Sequence, residues 1–363
     1  MTHLNSKVKF VNKNKTLFFS TLKKRVDSYF EEKNISKFAD SVMVIKTIVL
    51  LSSYIIPFFL LIYIQPSFSL SLSLWILMGL SMAGIGMGVM HDGNHGSYSA
   101  SKQINYLMGH VVNLVGASAF NWKIQHNIMH HTYTNVNGLD EDIEDKPMLR
   151  FSPHSPVKAY HKFQWIHAFL FYGLLTLYWI VLKDYVQFVK YIRNGVNTNT
   201  KAQNAVVLTK IILLKLFYFA VFFGVPLVFT AIPFYQILIG FLSMHFVAGI
   251  ILSVTFQLAH TVEGTSHPLP DEKGNIENEW AIHQLNTTVN FSRNNKWLSW
   301  YVGGLNHQIE HHLFPKISHV HYPSIADIVK QTALEFNIPY LENKTLGQAL
   351  RSHVKTLQGL SHN

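Results

Sequence analysis

The chain has 363 residues, 48% hydrophobic and only 14% charged, and this balance excludes a disordered chain and favours a membrane protein, because soluble domains carry about 25% charged residues. In so apolar a chain, the net charge of +10 favours Lys and Arg that face anionic lipid, and we expect no nucleic-acid partner. The absence of cysteine excludes disulfide frameworks, thiolate zinc sites and iron–sulfur clusters, so any metal must be held by nitrogen and oxygen.

The N-terminal segment, which we place at residues 1–44, is expected to be helical and cytoplasmic. It carries the charged runs Lys23-Lys24-Arg25 and Glu31-Glu32-Lys33, with no apolar core and no small-residue cleavage site. This pattern does not fit a signal peptide.

Two stretches without Asp, Glu, Lys or Arg, at 47–90 and 216–259, predict helical hairpins in the membrane. Each has room for two helices of about 20 residues, the length that crosses roughly 30 Å of hydrocarbon. Turn residues at 65–67 and 231–233 mark the hairpin tips, and we place the hairpins at 45–90 and 207–259. Because every Lys and Arg lies at or beyond the open ends, the positive-inside rule puts those ends, and any site beside them, in the cytoplasm.

The segments after the hairpins, 91–206 and 260–363, predict a cytoplasmic helical cap. Probable helices near Ser324–Phe336 and Thr345–Leu357 close its second part. The fold class is therefore a single all-α integral membrane domain over 1–363, with two transmembrane hairpins (four spans) and a cap that carries a di-metal site.

Two shorter apolar runs lie within the cap. Leu107–Phe120 is too short to span and predicts a surface or re-entrant helix. Trp165–Leu182 is long enough for a fifth span, but a crossing there would put the histidine-rich segments on opposite sides of the membrane. We therefore expect this run to lie in the membrane interface.

Three histidine clusters follow the predicted spans and indicate a metal site. On a helix, residues i and i+4 share a face with Cβ atoms about 5–6 Å apart, so each cluster offers a pair that can bind one ion. Adjacent residues point about 100° apart, so the doubled histidines in two clusters suggest two metals. Neutral imidazole suits iron, copper, zinc and nickel. The candidate ligands are His91, His95, His126, His130, His131, His307, His311 and His312.

Other polar residues near the clusters are candidates for the same site. His260 leaves the second hairpin where the third cluster can reach it. Gln308 competes with His307, because it has i+3 and i+4 relations to the doubled histidine, and the spacing does not decide between them. We expect some neighbours to fix imidazole tautomers or to hold a water ligand: Asp92, Asn94, Glu310 and His283.

Two further features are interpreted without a functional role. His245 lies in the middle of a predicted span, where a hydrogen bond between helices explains it as well as a functional site does. The acidic run at 140–145 predicts a solvated face, as like-charge blocks usually do.

The three clusters, their order and their position relative to two hairpins resemble the histidine boxes of membrane-bound fatty acid desaturases. The third box, Gln308-Ile309-Glu310-His311-His312 followed by Leu313-Phe314-Pro315, is similar to that of the front-end subgroup, which desaturates between the carboxyl group and an existing double bond. Its leading residue maps to Gln308, and His307 falls outside this form of the motif. The chain has no His-Pro-Gly-Gly motif of a fused cytochrome b5 domain.

This resemblance implies the cofactors and partners. Two histidine-ligated iron ions (Fe2+/Fe3+) would use O2 as co-substrate to remove two hydrogens from adjacent carbons of a fatty acyl-CoA or acyl-lipid, with no catalytic residue beyond the metal ligands. Electrons would come from a separate ferredoxin, cytochrome b5 or similar donor. The enzyme would be integral to the cytoplasmic membrane, in contact with membrane lipid.

Two rival functions remain open at the level of sequence. A hydroxylase, ketolase or epoxygenase can be built on the same centre, and identification of the product separates these activities. A metal transporter is the rival from another class, but transport sites lie near the membrane midplane, where the chain has only His245.

Overall fold

The computed structural model describes residues 8–13, 15–144 and 148–362. These residues are mostly helical, and they divide into two compact units. Unit 1 comprises 1–39, 125–168 and 255–363, and unit 2 comprises 40–124 and 169–254.

The elements are named in chain order. The α-helices are α1 (Phe18–Glu32), α2 (Ser41–Ile64), α3 (Phe68–Gly84), α4 (Met90–His95), α5 (Lys102–His110), α6 (Ala119–Trp122), α7 (His131–Tyr133), α8 (Gln164–Gly173), α9 (Leu175–Tyr178), α10 (Asp184–Arg193), α11 (Lys201–Phe219), α12 (Val225–Phe229), α13 (Phe234–His260), α14 (Trp280–Thr287), α15 (Lys296–Tyr301), α16 (Gln308–Leu313), α17 (Tyr322–Glu335) and α18 (Leu346–Gly359). Stretches of π-helix occupy Ile85–Val89, Lys123–His130, Trp179–Lys183 and Ala220–Gly224, and 3-10 helices occupy Val111–Val115, Ala159–Phe163 and His319–His321. The strands β1 (Lys9–Val11) and β2 (Asn275–Glu277) form one parallel pair, and β3 (Asn290–Phe291) and β4 (Glu342–Asn343) form another.

Within the described residues, four helical runs are long and apolar enough to cross a membrane, which confirms the predicted fold class. The first is set by its ends: the Asp40 carboxylate accepts the Met43 N–H at its start, and Gln65 adopts the left-handed conformation (φ 47°) that ends it. Both predicted tips are confirmed as non-helical. The four runs are Ser41–Ile64, Phe68–His95, Lys201–Phe229 and Phe234–His260.

Unit 2 encloses an ion pair that the sequence argument did not anticipate. Lys215 lies well inside the third span and is only 4% exposed, whereas the charge pattern placed every Lys at or beyond the hairpin ends. Its Nζ donates to Asp184 Oδ2 at 2.5 Å and to the Gly116 carbonyl at 2.6 Å. Asp184 also accepts the backbone N–H of Ser118, so the pair joins α11 to α10 and to the chain before α6.

His245 makes hydrogen bonds between helices of unit 2. Its Nε2 lies 3.1 Å from the Tyr218 hydroxyl, and its Nδ1 lies 3.1 Å from Thr176 Oγ1. These contacts connect α13 to α11 and α9. They explain the buried imidazole of His245 by hydrogen bonds between helices, with no need for a role in metal binding.

The run expected to lie in the interface is a bent pair of helices. Ala159–Gly173 and Leu175–Arg193 meet at an angle of 54°, and the pair is apolar enough to count as a fifth, broken span. The interfacial placement of Trp165–Leu182 therefore stays a prediction. The run at 107–120 forms the end of α5, a 3-10 helix and the beginning of α6.

Unit 1 is built around the packing of α1 against α17. Phe18, Leu22, Val26 and Phe30 recur at i+4 along α1 and are buried in one apolar cluster with residues of α17 such as Val329. The two helices predicted near the C-terminus are confirmed as α17 and α18. Thr345 begins α18 through a capping box with Gln348.

Candidate metal centre

The second histidine box lies on a π-helix rather than an α-helix. In the π-helix Lys123–His130, hydrogen bonds join residues i and i+5, which brings residues five apart closer than an α-helix does. His126 therefore lies near both histidines of the doublet: its ring stacks on that of His130 at 5.2 Å, and its Nε2 lies 3.3 Å from His131 Nε2. The sequence predicted only the i, i+4 pair.

A chain reversal after the second box returns two carboxylates to it. Asn135 adopts the left-handed conformation (φ 59°) after α7, and its N–H donates to Asp140 Oδ2. Asp140 Oδ2 accepts from His130 Nδ1 at 2.9 Å, and Asp142 Oδ2 accepts from His126 Nδ1 at 3.2 Å. The prediction of a solvated acidic face is thus wrong for Asp140, which is 1% exposed, while Asp145 lies outside the described residues.

The third box begins its helix at Gln308, with His307 as the residue before it. His307 has non-helical dihedrals (φ −106°, ψ 56°), so the i, i+4 relation to His311 that a helix would give does not apply. Its Nδ1 lies 3.8 Å from Glu310 Oε2. The Gln308 amide instead contacts two imidazoles, with Nε2 2.9 Å from His260 Nε2 and 3.2 Å from His312 Nε2.

The histidines of unit 1 converge in two groups of three that share one member. Within each group, one nitrogen of every ring lies within 4.8 Å of the others. His260, the last residue of α13, belongs to the first group, as the sequence led us to expect it near the third box. The groups are His130, His260 and His312, and His131, His311 and His312.

The two ring nitrogens of these histidines have different roles: Nδ1 makes hydrogen bonds to the protein, and Nε2 is left to bind a metal. Nδ1 of five rings is engaged by the surrounding protein, and in four cases the partner is an oxygen that only accepts, so Nδ1 carries the proton and Nε2 keeps its lone pair. The fifth, His311, faces the Tyr322 hydroxyl at 3.2 Å. The four accepting oxygens are Asp142 Oδ2 for His126, Asp140 Oδ2 for His130, Thr287 O for His260 and Gln284 Oε1 for His312.

Burial sets the electrostatics of the cluster. His130, His311 and His312 are 0% exposed, so desolvation opposes their charged forms. Desolvation lowers the pKa of His126, against the opposing effect of Asp142. Burial also acts to lower the pKa of His130, but the buried Asp140 carboxylate outweighs it and the net shift is upward.

The first box lies in unit 2. His91 and His95 share one face of α4 with ring centroids 4.7 Å apart, as the i, i+4 spacing predicts, and both rings pack against Trp122. Asp92 is buried and interacts electrostatically with Lys46. The Asn94 amide donates to the Gly109 carbonyl at 3.0 Å, which connects α4 to α5.

Two other candidates lie beside the cluster without joining either group. Glu310 accepts hydrogen bonds from Asn290 and Tyr340, and desolvation raises its pKa to about 7. His283 is buried against Phe10 of β1, and desolvation lowers its pKa to about 4. Sequence reasoning missed Asp140, Asp142, Gln284 and Tyr322 as partners of the ligand rings.

One atom of the cluster tests whether a metal fits. His130 Nε2 is buried and makes no hydrogen bond within the described residues, and such an atom is costly unless a ligand satisfies it. The surrounding donor set is imidazole nitrogen with one amide, which suits iron and other first-row metals. The residues of unit 1 therefore fit a metal ion.

Comparison with known proteins identifies the family. Residues 67–344 match the family model described as fatty acid desaturase. The chain is 34% identical to the sn-1 linoleoyl-lipid 6-desaturase of Arthrospira platensis, over 100% of this chain and 97% of that protein. It is 33% identical to the Synechocystis enzyme of the same name, over 98% of both chains. It is also 36% identical to the acyl-lipid (8-3)-desaturase of Physcomitrium patens, over 94% of this chain and 71% of that protein. The chain therefore belongs to the fatty acid desaturase family, whose members are membrane oxidoreductases that act on acyl chains.

Proposed function

We propose that the chain is a di-iron desaturase that inserts a front-end double bond into the acyl chain of a membrane lipid. The observation that carries the proposal is the pair of three-histidine groups that share His312, with Nδ1 of His312 and of most other rings held by the protein. Neutral imidazole nitrogen suits iron, and the five rings of the two groups can offer ligands to two ions.

The proposed ligands come from all three boxes. Between His307 and Gln308, we place Gln308 beside the metals, because its amide contacts two ligand rings. His307 lies near Glu310, and we leave it out of the proposed ligands. For the first box, the proposal rests on the family resemblance. The proposed ligands are His91, His95, His126, His130, His131, His260, His311 and His312.

The bound iron would supply O2 activation and hydrogen removal, since an unactivated C–H bond offers acid–base residues no usable proton. The chain's own residues orient the ligand rings and exclude water. Asp140 and Asp142 orient their rings and keep the proton on Nδ1, which leaves Nε2 for the metal. The complete burial of His130, His311 and His312 excludes bulk water.

Three finer features of the function belong to this proposal. A lipid-linked substrate is favoured over acyl-CoA because several relatives are named linoleoyl-lipid or acyl-lipid desaturases. A ferredoxin or cytochrome b5 is proposed as the electron donor, because reduction of O2 to water needs two electrons beyond the two that leave with the hydrogens of the acyl chain. We also propose that the open ends of the hairpins, with the site, lie in the cytoplasm, and the distribution of Lys and Arg supports this side.

The test is the fatty acid profile of a host that expresses the chain. We expect gas chromatography–mass spectrometry to reveal a new double bond between the carboxyl group and an existing one, in lipid-bound chains, with added donor and reductase. The His130→Ala variant should abolish the product, and Asp327→Asn, an exposed carboxylate, should keep it. A hydroxylated product would assign the rival activity, and a product retained in His130→Ala would contradict the proposal.

A further inference from the structure

His312 is the histidine that the two groups of three have in common. Its ring is 0% exposed, and its Nε2 faces the other cluster residues, 3.2 Å from the Gln308 amide nitrogen. Whatever fixes this ring therefore affects both groups at once.

The residue that fixes the ring is Gln284, on α14. Its Oε1 accepts from His312 Nδ1 at 2.8 Å and lies 2.8 Å from the Thr134 hydroxyl, which is also 3.2 Å from the same ring nitrogen. Gln284 is 0% exposed, so these contacts replace water completely.

The orientation of the Gln284 amide is determined by its other end. Nε2 donates to the backbone carbonyl of His131 at 3.2 Å, and Trp280, one turn earlier on α14, donates to the same carbonyl at 3.0 Å. A carbonyl only accepts, so the NH2 group must face His131 and the oxygen must face His312. One side chain thereby connects the second box, through its backbone, to the third box.

The uncharged character of this partner distinguishes His312 from two of the other rings, His126 and His130. His126 and His130 donate to carboxylates, whereas His312 donates to an amide. A carboxylate makes an imidazole a stronger metal ligand, and a neutral acceptor leaves it weaker.

We infer that Gln284 is a positioning residue that holds His312, the ring common to the two groups, with its single Nε2 lone pair directed into the cluster. This inference rests on the proposed di-iron function. Residues that orient metal-binding histidines typically change metal affinity 10–100-fold when they are replaced. The same range is the expected effect for Gln284.

The test measures metal binding by the purified full chain in detergent. Gln284→Met keeps the length of the side chain and removes both hydrogen bonds, and we expect Fe(II) affinity in anaerobic chelator competition to fall 10–100-fold. Gln284→Glu keeps the acceptor for His312 Nδ1 but loses the donor to the His131 carbonyl, so it should restore part of the lost affinity. Cobalt(II) absorption bands should shift in the Met variant and return in the Glu variant.

Gln164→Leu is the matched control. Gln164 is also 0% exposed and also bonds at both ends, to the Arg150 N–H and the Leu357 carbonyl, but it contacts no cluster histidine. The Gln164→Leu variant should lose thermal stability and keep the metal affinity and the cobalt spectrum of the wild type. If the wild type binds no iron or cobalt, the proposed function fails. If the wild type binds and Gln284→Met binds equally, or if the Glu variant restores nothing, the role of Gln284 is refuted.

Discussion

The acceptor of each imidazole N–H distinguishes otherwise similar histidines at the scale of single residues. Asp140 is fully enclosed and serves both His130 Nδ1 and the N–H of Asn135, whereas Asp142 is 13% exposed and contacts His126 at the longer distance of 3.2 Å. The two carboxylates are therefore expected to differ in their importance for metal retention.

The first prediction concerns these two carboxylates. Asp140→Asn should reduce bound iron because it weakens the acceptor for His130 Nδ1, with a loss of affinity of about 10–100-fold. Asp142→Asn should cause a smaller loss, since its side chain is partly hydrated. Elemental analysis of purified protein checks both against Asp327→Asn, whose side chain is 76% exposed. Equal iron content in all three variants would contradict the assigned roles.

The second prediction separates His307 from Gln308. His307→Gln should retain iron, because His307 lies before α16 and near Glu310 rather than in either group. Gln308→Leu should lower iron content, because it removes the amide beside His260 and His312. Iron quantification on the pair, prepared in parallel, decides between them, and the reverse pattern would restore His307 as the ligand.

The residues that sequence reasoning missed share a physical cause. Asp140 and Asp142 reach the second box only because Asn135 turns the chain back, and Gln284 reaches it from a different helix. Spacing along one helix reports ligands that share a face, as it did for His91 and His95. This spacing gives no information on hydrogen-bond partners that come from other parts of the chain.

At the scale of elements, helix periodicity was sufficient where local signals agree with packing. The sequence predicted helices near Ser324–Phe336 and Thr345–Leu357, and the observed helices α17 and α18 lie close to these bounds. The π-helix Lys123–His130 was not predicted, because no local residue type specifies the wider turn. Its effect, the approach of His126 to His131, was therefore also missed.

The third prediction tests the ion pair between α10 and α11. Lys215→Met leaves the buried Asp184 carboxylate without its cation, and such a change costs about 3–5 kcal/mol of unfolding free energy. Thermal unfolding in detergent should show a clear loss relative to Lys210→Met, an exposed lysine on the same helix. The double variant Lys215→Met/Asp184→Asn should recover part of it, and a single variant as stable as Lys210→Met would refute the coupling.

At the scale of the whole molecule, the bent pair of helices determines the number of membrane crossings. Among the described residues, four runs qualify as spans, and the bent pair Ala159–Gly173 and Leu175–Arg193 would make a fifth. Composition alone does not separate these alternatives, because an interfacial helix and a broken span carry similar apolar content.

The fourth prediction concerns this topology. A reporter fused after Gly195 should lie in the cytoplasm, because an interfacial segment leaves the chain on the side where the first hairpin returned it. A reporter inserted at the second hairpin tip, near Ile232, should lie on the opposite face. The reverse arrangement, with the reporter after Gly195 outside the cytoplasm and the one near Ile232 inside it, would show that the bent pair crosses the membrane.

The ion pair of Lys215 also bears on how the protein is made. A lysine in the middle of a span adds about 2.5–3.5 kcal/mol to the free energy of inserting that helix alone. Asp184 lies 31 residues earlier, so it has already left the ribosome when Lys215 emerges. Charge neutralisation can then accompany entry of the third span into lipid. We therefore expect biosynthetic insertion of that span to depend on the segment translated just before it.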